Sequence, residues 1–425
     1  MSLNPNALPP TLAARAETTG AAGMPTTEST VSADILRDAE DFSLILGGPL
    51  FQVFRRAHLS DDALHLLARR LITLFMVTWL PLLLFSAWDG HAVGNSVTVP
   101  FLRDIETHIR FLVVVPLLLM AEPVVHLRLR PIARSFLDRN LIPEAALPEF
   151  DAILRSAFRL RNSVLPELLL LVGVYAIGVL VVWRRHTILG ASTWYVTSSD
   201  HGAQLFPAGV WYAYVSLPIF QFLLLRWYFR LFIWIRFLWQ VSRIRLNLVP
   251  THPDRVGGLG LLANAAFAFN LLLLAHGTMV AAQIANRILF LGEPLTDFKF
   301  EIGAVLLFLL CVVVGPLFFF AVQLARTKRR GLLEYGTFAE QYVREFDTKW
   351  LRTGVPRGEL LGSADIQSLA DLANSFEVVR SIRIAPVTRD TFVQLTVAVL
   401  APIVPLVLTT MPLEALLQKL LGLVF

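Results

Sequence analysis

His276, Gln283 and Arg287 stand in one oily stretch. Wound at 100° per residue they fall within about 40° of one another, with Asn286 beside them and Asn264 farther round. Polar side chains are unfavourable at membrane depth unless they face a bundle interior or a wet cavity. Two readings are open: the stripe lines a path for a small ion, or it hydrogen-bonds neighbouring helices together. His276 adds a group whose charge changes near neutral pH. Arg226 and Arg230 lie one turn apart near the end of another apolar stretch. They either reach headgroups along their aliphatic stems or, ringed in an oligomer, attract anions.

Glu122 and His126 sit four apart in "LLLMAEPVVHLRLRP", hence on one helix face, with Pro123 between them. That spacing suits a proton- or cation-binding pair, or an ion pair among the neighbouring arginines. Glu167 opens the run "PELLLL", where a helix N-terminus favours a carboxylate. In "LNLVPTHPDRVGGLGLL", Thr251 and Asp254 have capping-box spacing and Pro253 fits a first helical turn. Gly257, Gly258 and Gly260 allow a sharp turn or a close helix approach. The stretch reads as a tight turn at the mouth of a bundle, or as a gate or ion site built on His252, Asp254 and Arg255.

Catalytic signatures are missing. There is no GxxxxGK[ST], HExxH or GxSxG pattern, and the single cysteine, Cys311, allows neither an intramolecular disulfide nor a cysteine-ligated metal. The sequence therefore predicts no enzyme activity, no metal and no cofactor. The 33 arginines are spread along the flanks of apolar segments instead of forming a basic domain, which argues against nucleic acid and for anionic lipid headgroups.

The elements that must carry these residues follow from composition. The chain has 425 residues, 55% hydrophobic and 16% charged, with a mean hydropathy of +0.62, and so departs from soluble averages towards a membrane protein. A bilayer core about 30 Å thick takes about 20 apolar residues as helix. Seven stretches qualify, near 70–88, 109–125, 164–183, 208–229, 262–290, 301–324 and 391–411. The predicted fold is an all-α polytopic membrane bundle of about seven transmembrane helices with a small helical cytosolic part. Loops on one side carry 28 Lys and Arg, those on the other 7, which places the N-terminus in the cytosol and the C-terminus outside.

Residues 1–40 read as a disordered tail, 41–68 as an amphipathic interfacial segment, 69–325 as six spans, 326–389 as a helical cytosolic region, and 390–425 as the last span with an amphipathic end. The run from Ala208 has no helix breaker before Pro250, so its helix continues beyond the bilayer. Trp227, Tyr228, Trp234 and Trp239 would there form an aromatic belt, with Arg226, Arg230 and Arg236 snorkelling. The helix from about Leu259 to Phe290 is overlong and must tilt, protrude or break near His276-Gly277. In 326–389, Leu332, Tyr335, Phe338, Tyr342, Phe346 and Trp350 recur at helical spacing, and Ser363 is a cap for a second helix.

"THPDRVGGLG" together with "GSADIQSLADLANSFEVV" resembles a family of uncharacterised bacterial polytopic inner-membrane proteins in which both motifs recur in this order. The resemblance covers the chain from about residue 65 and implies a bacterial inner-membrane location; no function travels with it. From the residues, the leading expectation is a homo-oligomeric channel or transporter for a small ion, anions slightly preferred. His276, Gln283, Asn286 and Arg287 would line its path, Arg226 and Arg230 would attract the ion, and the 251–260 turn would gate it. The alternatives are a membrane scaffold or sensor signalling through 326–389, and a lipid-active enzyme drawing on Glu122, His126, His252 and Asp254.

Overall fold

Lipid offers no hydrogen bonds to a backbone, so long apolar runs must satisfy their amides internally, and here they do so as helices. The computed structural model describes residues 42–45, 47–48, 67–94, 96–178, 193–199, 202–352 and 363–409. Their architecture is an all-α membrane bundle. Five helical runs are long and apolar enough to cross a bilayer: Leu67–Trp88, Ile105–Asp138, Pro207–Val241, Leu261–Leu291 and Leu295–Arg352. Of the two other expected spans, one is described as Val164–Gly173 with the π turn Val174–Gly178, and the other is a shorter helix, Arg389–Leu400, that gives way to a turn and a 3-10 segment, Val404–Thr409, where Pro402 and Pro405 stand.

In chain order the helices are α1 (Leu67–Thr78), α2 (Leu80–Trp88), α3 (Ile105–Ile109), α4 (Val115–Asp138), α5 (Leu147–Asn162), α6 (Val164–Gly173), α7 (Pro207–Trp211), α8 (Leu217–Val241), α9 (Leu261–Ala266), α10 (Asn270–Leu291), α11 (Lys299–Val314), α12 (Ala321–Asp347), α13 (Ala364–Arg380) and α14 (Arg389–Leu400). A short antiparallel hairpin, β1 (Val196–Ser199) with β2 (Gly202–Leu205), precedes α7. Hydrogen bonds sort the connections onto two faces. On one, Asn247 donates to the Leu141 carbonyl, Gln323 bridges Ser242 and Ile244, and Arg383 reaches Arg255. On the other, Asp104 binds Trp194 and Asn286. The arginine-rich loops are those of the first face, as alternating spans require.

Two expectations change here. The overlong fifth span does not break at His276-Gly277: α10 runs unbroken through both, and the irregular step is a 3-10 turn at Phe267–Phe269. Gly277 serves another purpose, because a methyl there would strike the Val399 carbonyl oxygen of α14. Gly277→Val is accordingly expected to force α10 and α14 apart at about 1–3 kcal/mol. The readout is thermal unfolding in detergent, and an unchanged midpoint would contradict the contact. The second change concerns the aromatic belt. Trp227 and Trp234 are each only 2% exposed and lie inside the bundle, where Phe42 packs near Trp234 and Phe237. Phe42, Ser43, Leu44 and Ile45 are likewise buried, so this piece of the expected interfacial segment belongs to the core; the tail 1–40 and the end from 410 lie outside the described residues.

The last long run, Leu295–Arg352, has 58 residues. At 1.5 Å per residue it is about 87 Å long, nearly three times the hydrocarbon core. Its far half, α12, leaves the bundle on the arginine-rich face, and α13 returns against it. Ser363 caps α13 at the Asp365 amide, Tyr342 donates to the Asp365 carbonyl, and Trp350 donates to its carboxylate. Leu332, Tyr335, Tyr342, Phe346 and Trp350 are half-buried in this hairpin, whereas Phe338, expected beside them, is exposed.

Candidate functional site

On the arginine-rich face, four helices bring their charged residues together inside the bundle. Glu122 of α4 accepts from Arg70 of α1 at 2.6 Å and from Arg230 of α8 at 2.8 Å. Arg226, one turn earlier on α8, lies 3.5 Å from Glu167 at the start of α6. Glu122, Arg70, Arg226 and Arg230 are each 3–5% exposed. Trp227 braces the cluster by donating to the Leu118 carbonyl while its ring lies 4.9 Å from the Arg230 guanidinium. The arginines thus face inward and are paired, instead of snorkelling to lipid. Glu122 does not pair with His126, whose Nδ1 is 2.9 Å from the Ser43 hydroxyl. α4 also runs on through Pro123 and Pro131.

The turn after α8 is built around the Asp254 carboxylate. Oδ1 accepts from the amides of Val256 (2.9 Å) and Gly258 (3.2 Å), and Oδ2 from Gly260 (2.8 Å). His252 Nδ1 lies 2.9 Å from Oδ1. Asp254 therefore ties together the turn that leads to α9, in place of the expected box with Thr251, and α9 itself begins after Gly260 without a side-chain cap. Gly257 and Gly258 have φ of +65° and +102°, and Arg255 joins them in the left-handed region at +58°. Burial alone would raise the Asp254 carboxyl, but the amides of Val256, Gly260 and Gly258, with His252, hold it below the usual range. A depressed folded value stabilises the protein above the unfolded pKa and is lost as pH falls through the folded one. Asp254→Asn is expected to cost about 0.5–2 kcal/mol at neutral pH, as for a lost cap, and to flatten the acid limb of stability. An unaltered acid limb would refute this role.

The same turn receives the chain between α13 and α14. The Arg383 amide donates to the Arg255 carbonyl at 2.9 Å. Its guanidinium donates to the carbonyls of Asp254 at 2.9 Å and Val387 at 3.0 Å. Lys328 of α12 donates to the Ile382 carbonyl at 3.0 Å. A methyl on Gly331 of α12 would come within 2.7 Å of Pro250 and 2.8 Å of Val379, so three segments meet at that glycine. The turn that holds the first motif therefore meets Arg383, just beyond the second, with Val379 at the second motif's end packed beside them.

The polar stripe of the fifth span separates among different partners. His276 is buried, its Nδ1 donating to the Leu272 carbonyl (2.7 Å) and its Nε2 accepting from the Tyr228 hydroxyl (2.7 Å). Asn286 donates to Asp104 at 2.8 Å, and Gln283 lies 3.5 Å from Glu106. Arg287, 47% exposed in its side chain, pairs with Glu293 at 2.8 Å beside Glu301. Among the described residues these four side chains therefore go to different partners. Those near the far face join a second buried cluster, in which Asp104 also accepts from Thr107 and Trp194, and Arg110 binds Glu106 and the Tyr212 hydroxyl. Arg110 and Tyr212 each open a π-helical turn, Arg110–Val114 and Tyr212–Ser216, a local widening common at functional sites.

Asp104, Glu106, Arg110 and Tyr212 are not recognisable as a cluster from sequence because they are distributed over two segments about 100 residues apart; the acids Asp104 and Glu106 just before an apolar run were the available signal. Among the described residues no three His, Cys, Asp or Glu side chains are placed to hold a metal ion. No family model matches the chain, and neither curated proteins nor solved structures give a match.

Proposed function

We propose that the chain is a multi-pass scaffold or sensor of the bacterial inner membrane that signals through the hairpin of residues 326–389. The single observation that carries this reading is the joint described above. A helix pair protruding far beyond the bilayer is fastened by Arg383 and Gly331 to the turn between two spans, so a shift of those spans is transmitted to the hairpin. The charge pattern agrees. The root carries Arg326, Lys328, Arg329, Arg330, Arg380, Arg383 and Arg389 with no acid among them, while residues 333–377 hold eight acids against four bases. A basic root suits the anionic cytosolic leaflet and an acidic tip is repelled by it, which directs the hairpin into the cytosol. Deleting residues 354–381 should abolish retention of a cytosolic partner in pull-downs while the bundle stays monodisperse; undiminished retention would count against the reading.

A second reading, the homo-oligomeric channel or transporter for a small ion, draws on the inner cluster, where three buried arginines face two glutamates. Liposomes holding the purified protein under chloride, potassium and proton gradients test it. Selective chloride flux altered by Arg226→Gln would favour conduction, and no flux of any ion would remove it.

A further inference from the structure

We infer that α5 carries a binding site for the phosphate-bearing headgroup of an anionic membrane lipid. An open groove of about 620 Å³ beside α5, on the arginine-rich face, is lined by Ala152, Arg155, Phe158, Arg159 and Asn162. That volume lies within the range of small-molecule sites. Ala152, Arg155, Arg159 and Asn162 follow at intervals of three and four, one stripe of the helix. Arg155 is 63% exposed in its side chain and ion-pairs with Asp151, while Arg159 is exposed and makes no ion pair among the described residues. Asn162 accepts through Oδ1 from Gly48 and Arg161. Its amide Nδ2 makes no hydrogen bond among the described residues. Two guanidinium-bearing side chains and an amide donor thus line one groove beside an aromatic ring, a donor set that matches a phosphodiester and not a neutral headgroup.

The position selects lipid over a soluble anion. Only Ser163 separates Asn162 from α6, whose outward residues Val164, Leu165, Leu168 and Leu169 are 51–63% exposed in an apolar span. A lipid with its phosphate between Arg155 and Arg159 would lay its acyl chains along those leucines. Basic pockets beside spans on the cytosolic side are the usual place for such headgroups.

The test uses the full-length protein in detergent micelles, titrated with phosphatidylglycerol or phosphatidylcholine, with retained lipid counted by native mass spectrometry. The wild type should retain phosphatidylglycerol in preference to phosphatidylcholine. Each arginine near a membrane surface supports about a fivefold gain. Arg159→Gln should therefore lower affinity about fivefold and the Arg155→Gln, Arg159→Gln pair about 25-fold. Replacing both by lysine should retain most of the binding and shows that charge, not fold, is read; Arg344→Gln on the hairpin should change nothing. Equal retention of the two lipids, or unchanged retention in the glutamine variants, would overturn the assignment. So would displacement by millimolar inorganic phosphate, which would mark a soluble-anion site.

Discussion

Glu122→Gln is expected to destabilise the bundle by about 3–5 kcal/mol, the largest effect of any single substitution considered. The amide keeps the volume and one acceptor, so packing hardly changes. What is lost is the charge opposite Arg70 and Arg230, and removing one member of a buried ion pair leaves its partners uncompensated. Arg226 adds a third guanidinium to the same region. The asymmetry gives a sharper form of the prediction: Glu122→Leu combined with Arg230→Met, which removes charge from both sides, should recover much of the loss. Denaturant titration in mixed micelles, followed by tryptophan fluorescence, reads both. A loss below about 1 kcal/mol in the single variant would mean that the cluster is open to water and is not the buried network described.

Arg383→Ala is expected to release the hairpin from the bundle. One guanidinium hydrogen bond across the joint, to the Asp254 carbonyl, is removed, worth about 1.5–3 kcal/mol when the donor is charged, and with it goes the local bond to Val387 that orients the side chain. A loss at the upper end of that range is about a hundredfold rise in the undocked population. The protein should still fold, because the hairpin contacts Tyr342 to Asp365 and Trp350 to Asp365 remain. Amide exchange should accelerate about a hundredfold at residues 250–258 and 380–388 while the spans keep their protection. Gly331→Leu attacks the same joint from α12 and should give the same pattern. Uniform acceleration across the spans would show Arg383 to be a general stability residue and not a coupling one.

The helices themselves were legible in the sequence because lipid imposes a single rule on apolar runs: five of the seven runs coincide with helical runs long enough to cross a bilayer, and the other two contain the shorter helices Val164–Gly173 and Arg389–Leu400. The extension of the fourth span to Val241 was readable from the lack of a breaker. Pairing was not readable. Arg226 and Arg230 look alike whether they snorkel or bind a carboxylate, since Glu122 lies 108 residues from Arg230. The stripe of His276, Gln283 and Arg287 was a correct helical face, but one face spans the depth of a membrane, and residues a turn or two apart meet different neighbours. The 251–260 turn was recognisable as a turn; that its backbone carbonyls receive Arg383 could not be inferred, because backbone acceptors leave no trace in residue type.

The most direct test of the central claim is photo-crosslinking in intact cells. A photoreactive residue is placed at Leu333, Phe338 or Leu351, which are 57–73% exposed on the hairpin, with Phe300, 80% exposed at the opposite face, as control. A scaffold or sensor that acts through the hairpin predicts a discrete adduct from the hairpin positions and none from Phe300, with the adduct weakened when Arg383→Ala is introduced. No adduct from any hairpin position would contradict the account.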